Sequence, residues 1–155
     1  LTVMSTRATV LALASLLVLV GAYLYVSDMV SSARRIDVNL AGAELKVTSF
    51  EKVDIDFLLN ITNPTGYEYE VELVKYDIYL QGIKVGNGSV DRVKLSPKSS
   101  TLKHTITELR YSELTSALIS ALISGRFEVN VTGYLKVRTP VFPVDLRFSE
   151  VRSFP

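Results

Sequence analysis

The sequence predicts an all-β domain, an antiparallel β-sandwich with one helix, preceded by an N-terminal transmembrane helix. No charged residue interrupts the apolar stretch from Ala8 to Ser27. From Val38 onward, apolar residues recur at every second position, as in strands with one buried face. Between residues 112 and 125 they recur instead at helical spacing. These three patterns define the expected architecture.

The apolar stretch has the length of a membrane-spanning helix, because a bilayer's hydrocarbon core takes about 20 helical residues. Tyr23 and Tyr25 at its end suit the headgroup region, where the ring is buried and the hydroxyl stays wet. No convincing small-x-small cleavage site follows, which disfavours a cleaved signal peptide. A pilin-type filament helix is the other alternative. We predict a transmembrane anchor over 1–30 that contacts membrane lipid through 8–27, a stalk over 31–37 and a sandwich domain over 38–155.

Composition narrows the function classes. The 155-residue chain has a net charge of +1, which gives no reason to expect nucleic acid as a partner, since that usually selects for a concentrated basic face. Cysteine is absent, so disulfides and cysteine-ligated metals are excluded. The lack of Cys and Trp, with Gln81 as the single glutamine, hints at a hot-environment source. The first residue, Leu1, is compatible with processing, a non-standard start codon or a fragment.

The strands and turns can be placed from local patterns. Residues 53–61 alternate apolar and polar positions, with Leu58 as the one anomaly. In the next strand, Tyr69, Val71 and Leu73 are predicted to share the apolar, inward face. Asn63-Pro64-Thr65-Gly66 predicts a turn, and Gln81-Gly82 a tight hairpin. Gly86-Asn87-Gly88 indicates a bulge or a second turn. Six to eight strands with one apolar face each imply two facing sheets.

One helix is expected late in the domain. Ser112 is the predicted N-cap, Glu113 lies in the first turn, and Gly125 is the predicted stop. Ile119 and Ile123 widen the apolar stripe, so we expect the helix to be well covered. The stripe itself consists of Leu114, Ala117, Leu118, Ala121 and Leu122.

Ordered motifs along about two-thirds of the chain carry a family resemblance. They are Ile61-Thr-Asn63-Pro64, Leu80-Gln-Gly82-Ile-Lys-Val-Gly86, Leu95-Ser-Pro97-Lys-Ser and Val131-Thr-Gly133-Tyr-Leu-Lys-Val. In this order they resemble the LEA14-like family, also called the LEA type 2 or water-stress and hypersensitive-response domain. The family usually has Asn-Pro-Asn at the turn, where this chain has Thr65 in third place.

The resemblance implies a seven-stranded immunoglobulin- or fibronectin-III-like sandwich with one helix. It also implies a structural role for the Asn-Pro motif and a link to desiccation and stress responses. Many members are membrane-anchored, and an archaeal source fits the composition. The family has no known catalytic residues, so the resemblance supplies none.

No catalytic, cofactor or metal site is predicted from the residues themselves. His104 is the single histidine, too few for a metal site, and no serine lies in a nucleophile elbow with which it could form a catalytic triad. Glu68, Glu70 and Glu72 share a strand face but span about 13 Å, too far for one ion, so we expect a solvated face. Four tyrosines, at positions 67, 69, 76 and 79, are expected to pack in the core or on the sheets.

Three sequons are potential N-glycosylation sites, at Asn60, Asn87 and Asn130. Asn60 and Asn130 are expected to point to solvent from strands, and Asn87 to lie in a turn. Glycosylation would require an external domain. Arg34 and Arg35 after the helix, against Arg7 before it, favour a cytoplasmic domain by the positive-inside rule. Because a few charges do not decide the orientation of a large domain, we favour the external one.

We therefore predict a single-pass, membrane-anchored, non-enzymatic β-sandwich displayed on the cell surface, with a stress-protective or binding role and no cofactor. The alternative is a structural subunit of a surface filament, with the helix in the filament core and Leu1 as the processed end. Arg7 argues against it, because an unpaired charge in that core is costly. Self-assembly or other envelope proteins are the expected protein partners.

Overall fold

A computed structural model describes residues 5–154, so the predicted processed end at Leu1 lies outside the described residues. Within this range the chain forms a long helix, seven strands and a short second helix. In chain order the elements are α1 (Thr6–Ala33), β1 (Asp37–Val47), β2 (Lys52–Asn63), β3 (Tyr69–Leu80), β4 (Ile83–Leu95), β5 (Ser99–Arg110), a 3-10 turn (Tyr111–Glu113), α2 (Ser116–Ser124), β6 (Phe127–Arg138) and β7 (Val144–Phe154).

The seven strands form two antiparallel sheets, with orders β1-β2-β5 and β4-β3-β6-β7. Their inner faces enclose one hydrophobic core that takes residues from all seven strands and from α2. The predicted antiparallel β-sandwich is confirmed. The connection from β5 to β6 changes sheet and carries α2.

The central strand β2 follows its sequence pattern closely. Its alternate residues from Val53 to Ile61 are at most 2% exposed, as expected for one face of a half-buried strand. The anomalous Leu58 lies on the outer face, half-buried, and pairs with Gly42 on one side and His104 on the other. The alternation therefore predicts both the strand and its buried face.

Strand β3 changes its buried face part-way along. Val71 is buried, but Leu73, predicted on the same inward face, is only half-buried, while Val74 is fully buried. In the pairing with β6, Glu72 is an extra residue between two successive paired positions. Such a bulge inverts the alternation beyond it, so the prediction for Leu73 was wrong for a reason that lies in the partner strand.

The glycine-rich segment 86–88 lies inside strand β4. The predicted second turn was wrong, and the predicted bulge occurs at the preceding residue, Val85. The pairing steps from Ile78 opposite Gly86 to Tyr79 opposite Lys84, which leaves Val85 as the extra residue. The predicted turn position of Asn87 is corrected accordingly, because it is a strand residue of β4.

Strand β5 turns its threonines inward and two of its larger apolar residues outward, while Leu109 lies in the core. Leu102 and Ile106 are 56% and 64% exposed, whereas Thr107 is buried. The hydroxyls of Thr105 and the buried Tyr76 share a hydrogen bond. A buried tyrosine hydroxyl needs such a partner, which favours the polar face of β5 on the inside.

The second helix begins later than predicted. Its N-cap is Thr115, whose side chain accepts a hydrogen bond from the Leu118 amide, and the predicted cap Ser112 lies in the 3-10 turn. Gly125 ends the helix at φ 69°, as predicted. Ile123 is 78% exposed, so the expectation that the helix is well covered was wrong at this residue.

Asn63 organises the turn between β2 and β3. Its amide nitrogen donates to the carbonyl oxygens of Tyr67 at 2.7 Å, Leu95 at 3.2 Å and Ser96 at 3.1 Å. Its Oδ1 accepts from the backbone N–H of Thr65 at 3.0 Å and the Thr65 hydroxyl at 2.7 Å. Both residues are at most 1% exposed. The side chain thus ties the β2–β3 turn to the loop between β4 and β5.

An arginine joins the two sheets at their β1 and β7 edges. Strand β1 has a bulge between Leu40 and Gly42. Nη1 of Arg152 on β7 donates to the carbonyl oxygens of Leu40 at 2.7 Å and Ala41 at 3.1 Å. The guanidinium therefore satisfies backbone acceptors at the irregular part of β1.

We expect Asn63→Ala to lower the free energy of unfolding by about 3 kcal/mol, because it leaves buried carbonyl groups and Thr65 without partners. Thermal unfolding of the detergent-solubilised full chain, followed by circular dichroism, measures this. Asn87→Ala is the matched control, since Asn87 is exposed, and its effect should stay within about 0.5 kcal/mol. Equal effects of the two substitutions would contradict the structural role of Asn63.

Candidate functional site at the junction of helix and sandwich

The most distinctive site of the molecule is the junction where α1 meets the sandwich. Along α1, side chains from Thr9 to Tyr25 are exposed. At the C-terminal end of α1 the side chains are buried instead. Ser32 is 3% exposed, Ala33 is fully buried, and Ile36 just after the helix is 6% exposed. The last turns of α1 therefore form part of the domain core.

Two tyrosine hydroxyls bond α1 to the sandwich. The Tyr67 hydroxyl donates to Oδ2 of Asp28 at 2.5 Å, and the Tyr69 hydroxyl donates to the carbonyl oxygen of Met29 at 2.5 Å. The ring of Tyr25 meets that of Tyr67 edge to face, with centroids 5.5 Å apart. Such aromatic contacts add about 0.5–1.5 kcal/mol to their buried area.

The Asn63 turn places these tyrosines. The carbonyl oxygen of Tyr67 is one of the three that Asn63 binds, and Tyr69 is the first residue of β3. The network that closes the end of the sandwich therefore also presents both hydroxyls to α1. The prediction of simple core or sheet packing fits Tyr69, which is 2% exposed, but it missed the contacts of Tyr67 with α1.

The hydrogen bond to Asp28 perturbs the phenol it joins. Bonded to that carboxyl group and partly desolvated, the Tyr67 hydroxyl has its pKa raised from 10.0 to about 12. Burial likewise raises the pKa of Tyr69. Both phenols are thus neutral donors at any physiological pH, which suits a structural joint better than proton transfer.

Residues 31–37, predicted as a stalk, include the buried Ser32, Ala33 and Ile36. Helix α1 continues to Ala33, and β1 begins at Asp37. A backbone hydrogen bond from the Ile36 amide to the Ala33 carbonyl oxygen closes the turn between them. The connection is therefore three residues long, and the division into anchor, stalk and domain stays a prediction.

The three sequons lie on three different strands and do not form one site. Asn60 on β2 is half-buried, and its Oδ1 is buried without a hydrogen-bond partner. Asn130 on β6 is half-buried, whereas Asn87 is exposed on the edge strand β4. Exposure makes Asn87 the most accessible of the three acceptors. Their glycosylation stays a prediction.

The charged candidates form small surface contacts. Nδ1 of His104 lies 3.2 Å from Oδ1 of Asp56, and Nζ of Lys46 lies 3.0 Å from Oδ2. Hydrogen bonds from Lys46 and then His104 lower the pKa of Asp56. Of the three glutamates predicted to share a strand face, those at positions 70 and 72 form ion pairs with Arg138. Within residues 5–154, no three His, Asp or Glu side chains converge as a metal site would require.

The sequence of this chain matches a known family model. The LEA_2 model, described as late embryogenesis abundant protein, matches residues 58–151, more than half of the chain. The chain belongs to the LEA_2 family. The matched part of this LEA_2 chain starts within β2 and ends within β7, so it includes the Asn63 turn and excludes α1.

Two solution structures share the sandwich fold of this chain. A solution structure from Arabidopsis thaliana has a TM-score of 0.60 and 17% identity, covering 75% of this chain and 78% of its own. A second solution structure, described as a late embryogenesis abundant (LEA) protein, has a TM-score of 0.55 and 13% identity over 96% of this chain and 88% of its own. A crystal structure from Archaeoglobus fulgidus has 20% identity, covering 77% of this chain and 95% of its own, at a TM-score of 0.49. No curated protein matches the sequence significantly. At these identities the likeness shows the fold alone.

The Tyr67–Asp28 hydrogen bond should make the stability of the fold depend on pH. Because the pKa of Tyr67 is higher in the folded chain than the usual 10.0, the bond stabilises the fold fully below about pH 10 and is lost as pH rises through about 12. We expect Asp28→Asn to lower this pKa toward 10.0. Phenolate absorbance against pH, with the Tyr67→Phe curve subtracted to isolate Tyr67, measures it. An unchanged titration in Asp28→Asn would show that the bond does not form in solution.

Proposed function

We propose that this LEA_2 chain is held in a membrane by α1 and carries its sandwich at the bilayer surface outside the cell, in a non-enzymatic stress-protective or binding role. Helix α1 is long and apolar enough to cross a membrane. Its apolar side chains from Val10 to Leu24 are all exposed. Lipid would remove this exposed apolar surface from water.

The junction is the observation that carries the proposal. Asp28 is the first charged residue after the apolar stretch and marks the point where α1 would leave the hydrocarbon. The same residue bonds to Tyr67 of the sandwich. The base of the domain would therefore sit at the headgroup level, with Tyr25 and Tyr67 packed together where amphipathic rings are favoured.

The contacts between α1 and the domain disfavour a cleaved signal peptide. Met29 and Val30 pack against the core, and Ala33 is fully buried in it. Cleavage after the apolar stretch would cut directly beside these packed turns and remove Tyr25 from its contact with Tyr67. An uncut helix keeps the contact surface of the domain intact, which favours an anchor.

The other predicted roles have less support. Family and fold do not favour the filament subunit. We propose no catalysis, since the single histidine, His104, lies on an exposed sheet face beside Asp56 and Lys46. Self-assembly and contacts with other envelope proteins stay predictions.

Orientation can be tested with single cysteines, because the natural chain has none. We expect Ser112→Cys, at the end of the sandwich away from α1, to react with a membrane-impermeant maleimide on intact cells. Thr6→Cys, at the other end of α1, is the matched control and should react only after lysis. Both residues are exposed, so neither change should disturb folding. The reverse pattern would place the sandwich in the cytoplasm, and labelling of both on intact cells would show that α1 does not span the membrane.

The protective role can be tested on membranes alone. We expect vesicles that carry the full chain to lose less trapped dye on drying and rehydration than vesicles that carry a peptide of residues 1–35. A folded polar surface at the headgroup level would keep dried bilayers apart and hydrated. Equal leakage from the two kinds of vesicle would remove the protective role and leave binding as the proposed one.

A further inference from the structure

The loop between β6 and β7 exposes apolar side chains at its tip. It consists of residues 139–143, Thr-Pro-Val-Phe-Pro, and we call it the Thr139 loop. Val141 is 61% exposed and Phe142 is 50% exposed. Large apolar residues at a loop tip cost solubility, so their position relative to other surfaces needs an explanation.

The topology places this loop at the end of the sandwich from which α1 leaves. Arg138, the last residue of β6, pairs with Glu70 near the start of β3, one residue from Tyr69. Tyr69 bonds to Met29 of α1. The Thr139 loop therefore continues from the same end of the four-stranded sheet that contacts α1, on the side that would face the bilayer.

The backbone of the loop is organised around one hydroxyl. Oγ1 of Thr139 accepts hydrogen bonds from the N–H groups of Val141 at 3.4 Å and Phe142 at 3.3 Å. It donates to the carbonyl oxygen of Phe142 at 2.5 Å. Pro140 and Pro143 have no N–H group. Residues 140–143 therefore offer no free backbone donor.

This property matters at a membrane. An unsatisfied backbone N–H costs several kcal/mol in hydrocarbon, which keeps most loops out of it. Residues 140–143 of the Thr139 loop meet that requirement for their N–H groups, because Thr139 accepts from two of them and the two prolines have none. Exposure alone would not distinguish it, because Phe50 in the turn between β1 and β2 is fully exposed at the opposite end of the sandwich.

We propose that the Thr139 loop is a second membrane contact, which inserts Val141 and Phe142 into the headgroup boundary of the bilayer that holds α1. This inference rests on the proposed anchoring by α1. Two apolar side chains alone bind a bilayer weakly. Anchoring converts their insertion into an intramolecular event at high effective concentration, so a weak contact suffices. The loop and α1 together would fix the tilt of the sandwich on the membrane.

The natural chain has no tryptophan, so Phe142→Trp gives a single fluorescent reporter at the loop tip. The experiment uses the full chain reconstituted in phosphatidylcholine vesicles with or without lipids brominated near the headgroup. Phe50→Trp is the matched control at the opposite end. Both replaced rings are exposed, so folding should be retained, and Val141→Trp provides a second reporter in the loop.

We expect blue-shifted emission and strong bromolipid quenching for tryptophan at 142 and 141, and neither for tryptophan at 50. If the chain floats with the vesicles but tryptophan at 142 and 141 is not quenched, the loop contact is wrong and the anchor stands. If the chain does not float with vesicles, the anchor is wrong and the loop inference falls with it. Equal quenching at all three positions would mean that the sandwich lies on its side, which also overturns the proposal.

Discussion

The buried amide of Asn63 is the constraint on which much of this molecule depends. A fully buried amide must have hydrogen-bond partners, and here they come from the β2–β3 turn and from the loop after β4. One side chain thereby closes the end of both sheets. Because Tyr67 is one of the residues it binds, the same network sets the surface that receives α1. The closed end of the sandwich and the docking of α1 therefore both depend on Asn63.

Local patterns predicted the parts of the fold that local physics decides. The alternation in β2, the Gln81-Gly82 hairpin with positive φ at both residues, and the stop at Gly125 need no distant partner. The sequence patterns failed where a neighbouring strand determines which way a side chain points. The bulge at Glu72 is defined only by the pairing of β3 with β6. The inward position of Thr105 on β5 is explained by its hydrogen bond with the hydroxyl of Tyr76 on the other sheet.

The candidate site was less predictable than the fold, for a related reason. The apolar stretch identified α1, but its docking depends on Asp28 meeting a tyrosine 39 positions later. Two signals were available, namely an acid directly after the apolar stretch and the tyrosines directly after the Asn-Pro turn. Neither signal by itself shows that these two segments are in contact. Helix caps show the same limit, since Ser112 and Thr115 are both acceptable caps and only packing separates them.

The arginine that joins the sheet edges has a consequence for crowding. Copies anchored as proposed would share an orientation in one membrane, so two neighbours related by a twofold axis along the bilayer normal would present β1 to β1 as parallel strands. Exposed strand edges are templates for such pairing and for aggregation. Here the carbonyl oxygens of Leu40 and Ala41 already accept hydrogen bonds from Arg152. The middle of β1 is thereby a poor template, so two such neighbours would not readily join into one sheet through their β1 edges.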